Sequence, residues 1–134
     1  MATGSNTSNN RKTSTQSSKL STSRSRGDQF ERRAEQFLLG QGLELQVRNY
    51  LCKLGEIDLI MRAGHTLVFV EVRYRKNSHF GGAAASVTPA KQQKLRRAAY
   101  SYLQSRGLNE SQQPCRFDLV ACEGSDIHWI PNAF

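Results

Sequence analysis

The 134-residue chain is basic, because 19 lysines and arginines against 11 aspartates and glutamates give a net charge of +8. This length allows one domain at most, and no stretch approaches the roughly 20 apolar residues that span a bilayer. The three cysteines, Cys52, Cys115 and Cys122, lack the close pairing of a zinc site. We therefore expect a reduced, cytoplasmic protein without structural zinc.

Residues 1–26 form a basic arm of low complexity. Thirteen of these 26 residues are Ser or Thr, five are Lys or Arg, and none is acidic. An organelle transit peptide also lacks acids, but no amphipathic face accompanies the pattern here. Such a composition cannot bury enough apolar surface to offset the entropy of ordering. We predict a disordered arm over residues 1–26 and a single folded domain over residues 27–134.

Residues 28–39 predict the first helix. Its apolar stripe follows a helical period and consists of Phe30, Ala34, Phe37 and Leu38. Asp28 suits the N-cap position, and Gly40 suits the end of the helix. The weakly alternating residues 43–48 predict a first strand.

Residues 56–62 and 67–74 predict a β-hairpin with the two-residue turn Gly64-His65. In the register that this turn imposes, one face of the hairpin is apolar throughout and belongs to the core. That face consists of Ile57, Leu59, Met61, Val68, Val70 and Val72.

The other face of the hairpin gathers charges at the end away from the turn. The same register places Asp58 opposite Glu71, and Glu56 opposite Arg73. Directly opposed like charges destabilise a sheet, because their β-carbons are only about 4.5–5.5 Å apart. Mg²⁺ suits such a pair, since it takes one or two carboxylates and keeps water and phosphate oxygens as its other ligands. An exposed face whose arginines neutralise the acids is the alternative, and geometry alone leaves both interpretations open.

The second half of the chain predicts a loop, a helix and two strands. Residues 75–87 form the loop, and Thr88-Pro89 is typical of a helix start, with Thr as N-cap and Pro at the first helical position. The buried stripe of this helix consists of Leu95, Ala98, Ala99, Tyr102 and Leu103. Residues 116–122 and 127–130 predict the strands. The chain is thus a mixed α/β layer with helices packed on a sheet.

The stretches GEIDLI (55–60) and VFVEVR (68–73) form a D-x12-E-x-[KR] pattern on the predicted hairpin. This pattern resembles the PD-(D/E)xK nuclease superfamily, which has the restriction-endonuclease-like fold and includes archaeal Holliday-junction resolvases. More closely, the chain resembles the YraN family of uncharacterised bacterial proteins, with support from FERRAEQFL (30–38) and RFDLV (116–120). The resemblance covers residues 27–134 and implies an αβββαβ core with a mixed central sheet flanked by helices.

The resemblance also implies roles for single residues. Asp58 and Glu71 match the ligands of Mg²⁺ or Mn²⁺, and Glu31 and Arg73 complete the catalytic set. Glu31 also suits a capping box with Asp28, and both roles stay open. Arg73 stands where the superfamily has lysine. Arginine can bind a phosphate bidentately but cannot act as a base, so hydrolysis depends on other groups.

Basic residues flank the predicted acid pair. The candidates for phosphate contact are Lys53, Arg75, Lys76 and Lys91, and Lys91 falls in the first turn of a helix, where anions are attracted. The implied function is that of a divalent-metal-dependent endonuclease acting on structured or branched nucleic acid, DNA rather than RNA. The alternatives are a nucleic-acid-binding module of the same fold that cleaves weakly or not at all, and an adaptor protein. A likeness to resolvases is compatible with a homodimer.

Overall fold

The computed structural model describes residues 22–75 and 84–134, which form two α-helices and a five-stranded sheet. The elements are α1 (Thr22–Gly40), β1 (Glu44–Cys52), β2 (Gly55–Ala63), β3 (Thr66–Arg75), a 3-10 turn (Ala84–Ser86), α2 (Pro89–Ser105), β4 (Cys115–Glu123) and β5 (Asp126–Ile130). This order confirms the predicted αβββαβ core. Residues 1–21 of the predicted arm, and Lys76, lie outside the described residues. Neither α1 nor α2 is long and apolar enough to cross a membrane.

The sheet is mixed, and its strand order is β1-β2-β3-β4-β5. Three neighbouring pairs are antiparallel, while β3 and β4 are parallel. A parallel pair needs a long crossover, and α2 lies in the connection between these two strands. Residues 67–70 alternate between the two faces and are buried on both, which explains why the sequence of β3 is apolar with little interruption.

Each face of the sheet has its own core. The core on the α1 side contains Ala34, Leu38, Leu43, Leu59, Met61, Val68, Val70 and Val120. The core on the α2 side contains Ile57, Ile60, Leu67, Phe69, Leu95, Ala98, Tyr102, Leu103, Phe117 and Leu119 among its members. The predicted stripe of α2 is buried as expected. Two helices therefore enclose the sheet and hold the middle of β2 and β3 between them.

Helix α1 begins at Thr22, so residues 22–26 of the predicted arm belong to this helix. Asp28 lies inside the helix and does not cap it, and the predicted capping box of Asp28 with Glu31 is wrong. Ala34 and Leu38 are fully buried, which confirms the predicted apolar stripe. Because Glu31 has no role at the helix start, its side chain is available to the sheet.

The predicted hairpin register is confirmed near the turn. Five pairs join β2 to β3, from Ala63–Thr66 to Leu59–Val70. The ladder ends there, and the start of β2 continues to pair only with β1, where Glu56 is the partner of Leu51. The predicted ladder pairs Asp58–Glu71 and Glu56–Arg73 are therefore wrong, because the two strands separate before they reach them.

Candidate active site

Strand β2 changes its side-chain alternation at Asp58. Leu59 packs in the core on the α1 side, but Ile57 packs in the core on the α2 side. Residues two apart in a regular strand share a face, so the prediction that Ile57 and Leu59 do so is wrong. The Asp58 carboxylate accepts a hydrogen bond of 2.8 Å from the backbone N–H of Val72. Its side chain thus fills the gap where β2 and β3 cease to pair.

Three carboxyl groups meet at this gap. The Asp58 carboxyl lies within hydrogen-bonding reach of Glu71 on β3 and of Glu31 on α1. Glu71 is only 5% exposed, and Glu31 is half-buried. The structure therefore brings together the three acids that the sequence predicted, although Asp58 reaches Glu71 across a gap and not as a ladder partner.

Burial and mutual repulsion disfavour the charged forms of these acids. Burial, and then the charge of Asp58, raise the pKa of Glu71 from 4.5 to about 7. The same two causes raise the pKa of Glu31 from 4.5 to about 7. Burial also raises the pKa of Asp58, against the opposing effect of the hydrogen bond from Val72. Perturbed acids that cluster in this way are typical of functional sites.

Two cations lie beside Glu71. Nη2 of Arg73 is 3.0 Å from Oε2 of Glu71, and Nζ of Lys91 is 3.8 Å from the same oxygen. Thr88 caps α2 by accepting a hydrogen bond from the backbone N–H of Lys91, which places Lys91 in the first helical turn. The first turn of α2, which is the positive end of its dipole, therefore lies within the length of a lysine side chain from Glu71. Nε of Arg73 is buried and has no hydrogen-bond partner among the described residues.

The remaining predicted contact residues lie at the same end of the sheet. Lys53 is in the turn between β1 and β2, and Arg75 is the last residue of β3. Tyr74, which precedes Arg75, stacks on Phe30 of α1 with a ring-centroid distance of 4.2 Å. One face of the Tyr74 ring is therefore used in packing α1 onto the sheet.

The acid pair fits a divalent cation that prefers oxygen ligands. Among residues 22–75 and 84–134, no group of three or more His, Cys, Asp or Glu side chains is spaced to hold a metal ion. Asp58 and Glu71 would therefore supply two ligands and not a complete shell. This is a common arrangement for Mg²⁺, which keeps waters and phosphate oxygens in its other positions. A cation between the two carboxylates would also relieve their repulsion.

Comparison with known proteins assigns the chain to a family. The model of the uncharacterised protein family UPF0102 matches residues 30–122. The chain belongs to this family. A UPF0102 protein of Aeromonas hydrophila is 56% identical over 110 residues, which cover 82% of this chain and 85% of that protein. A UPF0102 protein of Yersinia enterocolitica is 51% identical over 111 residues, covering 83% and 95% of the two chains. A UPF0102 protein of Nitrosospira multiformis is 55% identical over 116 residues, which cover 84% of this chain and 95% of that protein.

The resemblance to the YraN family is thereby confirmed. The segment that matches UPF0102 begins at residue 30 and ends at residue 122, so it contains all three acids of the cluster and both neighbouring cations. The family description names no activity.

Sequence reasoning missed three residues of this UPF0102 chain that lie next to Glu31. Glu35 is only 4% exposed and accepts two hydrogen bonds from the guanidinium of Arg48, at 2.7 and 2.9 Å. Together with Asn49 and Glu31, these residues line a cavity of about 100 Å³. Asn49 directly follows the predicted strand 43–48, and asparagine is disfavoured in strands, so the sequence did not indicate that β1 continues through it to Cys52.

Proposed function

We propose that this protein binds nucleic acid and hydrolyses phosphodiester bonds as a divalent-metal-dependent endonuclease. The expected substrate is structured or branched nucleic acid, DNA rather than RNA. One observation carries the proposal: Glu31, Asp58 and Glu71 meet in a largely buried gap between α1, β2 and β3. Such a cluster opposes folding when it is ionised, because the buried negative charges repel one another. A bound cation would be attracted by the same negative charges and would offset their repulsion.

The residues of the gap have distinct roles in this proposal. Asp58 and Glu71 would hold Mg²⁺ or Mn²⁺, which would supply Lewis-acid chemistry at the phosphate. Arg73 would bind the phosphate through the exposed part of its guanidinium, since its side chain is 29% exposed and a guanidinium binds phosphate oxygens bidentately. Since arginine stays protonated, Arg73 would also stabilise the negative charge that develops in the transition state.

Lys91 adds a lysine to a site whose strand motif ends in arginine. Its side chain extends from α2, and its Nζ lies 3.8 Å from Oε2 of Glu71. A lysine in this place can orient an attacking water or donate to a phosphate oxygen. The contact supports hydrolysis even though Arg73 occupies the position of the superfamily's lysine.

One contact favours the second candidate, a binding module that cleaves weakly or not at all. The ion pair of 3.0 Å between Arg73 and Glu71 neutralises a carboxylate that the metal would need. A protein that retained this pair permanently would still present Arg73, Lys91 and Lys53 to a phosphate backbone. Its affinity would then not depend on divalent metal.

The two candidates differ in a cleavage experiment. We would incubate wild type, Asp58→Ala, Glu71→Ala and Arg73→Lys with labelled duplex, single-stranded and branched DNA and with RNA, in Mg²⁺, in Mn²⁺ and in EDTA. An endonuclease cleaves only with metal, loses cleavage in both alanine variants and retains or gains it in Arg73→Lys. Glu44→Ala, at the exposed start of β1, is the matched acidic control and should cleave like wild type.

Three other outcomes are equally informative. Metal-independent binding without cleavage in every variant favours the binding module, and loss of one acid should then tighten binding by reducing repulsion of phosphate. Cleavage that survives in Asp58→Ala contradicts the assigned site. Absence of binding to every substrate contradicts both candidates.

A further inference from the structure

Asn49 of β1 stands at the level of Asp58 of β2. The ladder between these strands contains the pairs Arg48–Leu59 and Tyr50–Ile57. The position between these pairs belongs to Asn49 and Asp58, which are not ladder partners. Asn49 therefore lies on the strand next to Asp58, on the opposite side of β2 from Glu71 of β3.

The backbone of Asn49 is left-handed, with a φ of 50°. This conformation is unfavourable for residues other than glycine, and asparagine tolerates it best among them. Its effect is visible on the two flanking side chains. Arg48 turns to Glu35 of α1, while Tyr50 turns to the other face, where its hydroxyl is 3.1 Å from Ser101. In a regular strand these two side chains would share a face.

The side chain of Asn49 is exposed. It lines the cavity of about 100 Å³ that also contains Glu31 and Arg48. The guanidinium of Arg48 is fixed there by the buried Glu35. The amide of Asn49 is a neutral donor, so it can approach a phosphate beside the carboxylates without making an ion pair with them.

We infer that the Asn49 amide donates a hydrogen bond to the nucleic-acid phosphate that lies beside Asp58. The inference rests on the proposed function and adds a substrate-binding residue to it. The exposed amide shares a cavity with Glu31 of the acid cluster, and a phosphate contact at this point would explain why an unfavourable conformation is retained inside a strand.

Asn49→Gly separates binding from folding. Glycine adopts a φ of 50° without steric cost, so the free energy of unfolding in urea should be unchanged or higher. The Kd for a labelled branched DNA, measured by fluorescence anisotropy with Ca²⁺ in place of Mg²⁺, should rise about tenfold, which is typical for loss of a hydrogen bond to a charged group. Asn49→Asp should raise the Kd further, because it adds a negative charge beside the phosphate.

Asn132→Gly is the matched control. Asn132 has a φ of 53° and follows β5, at the opposite edge of the sheet from β1. Its substitution should leave the Kd unchanged. Wild-type affinity in Asn49→Gly, or a fall in its stability with unchanged affinity, would overturn this inference and leave the proposed function intact. If wild type binds none of the nucleic acids, the proposed function fails, and this inference fails with it.

Discussion

Lys91 illustrates how a single residue tunes the acid cluster. Its charge lowers the pKa of Glu71, against the larger effects of burial and of Asp58, which hold that pKa at about 7. Lys91 can therefore stabilise the fold only when Glu71 is ionised. We expect Lys91→Met to lower the free energy of unfolding by about 1 kcal/mol at pH 8 and to have little effect at pH 5, where Glu71 is protonated. Urea denaturation at the two pH values measures both quantities.

Lys94→Met is the matched control for this substitution. Lys94 is exposed on the same helix, three residues further on, and among the described residues the lysine that approaches Glu71 is Lys91. Its substitution should have the same small effect at both pH values. If Lys91→Met were equally destabilising at pH 5 and pH 8, the contact with ionised Glu71 would not be the cause.

The acids could be located from the sequence, but the way in which they meet could not. Asp58 and Glu71 were found from opposed charges and from motif spacing, and Glu31 from the family resemblance. The meeting of Asp58 with Glu71 depends on a change of alternation that sends Ile57 to the α2 side. That change results from packing on two helices at once, which no pattern within β2 encodes. Asn49 was missed because the predicted first strand ended at residue 48, whereas β1 continues to Cys52.

At the scale of elements, the two helix starts show which local signals can be trusted. Thr88-Pro89 predicted the start of α2, and the structure confirms it, since Thr88 Oγ1 accepts a hydrogen bond from Lys91 N–H at 3.2 Å. Asp28 suggested the start of α1, but the helix extends back to Thr22. The first apolar residue of the periodic pattern is Phe30, and the pattern contains no information about turns of the helix that precede it.

The cap of α2 has a measurable value, because it also positions Lys91. We expect Thr88→Ala to lower the free energy of unfolding by about 1 kcal/mol, the usual cost of a lost N-cap. Thr88→Ser keeps the hydroxyl acceptor and should remain within a few tenths of a kcal/mol of wild type. Denaturant unfolding of the two variants is the test. Equal losses in both would show that the methyl group of Thr88, and not its hydroxyl, stabilises the helix start.

The register of the hairpin was predictable from the sequence, but the point at which its two strands separate was not. A two-residue turn determines the pairing of the residues next to it, and all five observed β2–β3 pairs follow the predicted register. When the strands separate after the pair Leu59–Val70, the start of β2 needs another strand to pair with. That strand is β1. Because β1 was only weakly predicted, the gap that holds Asp58 could not be foreseen.

At the scale of the whole molecule, the fold brings together three acids of α1, β2 and β3 and places two cations, Arg73 and Lys91, beside one of them. The overall order of elements followed from the sequence, since apolar periodicity and the family resemblance agreed. Membership of UPF0102 is consistent with that order but does not specify a chemistry. The homodimer that a likeness to resolvases implies stays a prediction. The property that joins fold and proposed function most directly is the dependence of stability on pH and metal.

Glu31 and Glu71 have folded-state pKa values raised from 4.5 to about 7. For a carboxyl with a raised pKa, the contribution to stability is complete below about pH 4.5 and is lost as the pH rises through about 7. We therefore expect Glu71→Gln to have near-wild-type stability at pH 5 and to be more stable than wild type by roughly 1–3 kcal/mol at pH 8 in EDTA. Glutamine cannot ionise, so the variant escapes the cost of a buried charge.

Divalent metal should offset the cost of the buried carboxylate charge in the wild-type protein. A cation that binds only the folded, ionised cluster stabilises it by mass action, so millimolar Mg²⁺ should raise the Tm clearly at pH 8 and little at pH 5. Asp58→Ala lacks one of the two proposed ligands and should show almost no response at either pH. Differential scanning fluorimetry with Mg²⁺ or EDTA measures these shifts. An equal response to Mg²⁺ in wild type and Asp58→Ala would place the metal elsewhere and contradict the assignment of Asp58 and Glu71 as its ligands.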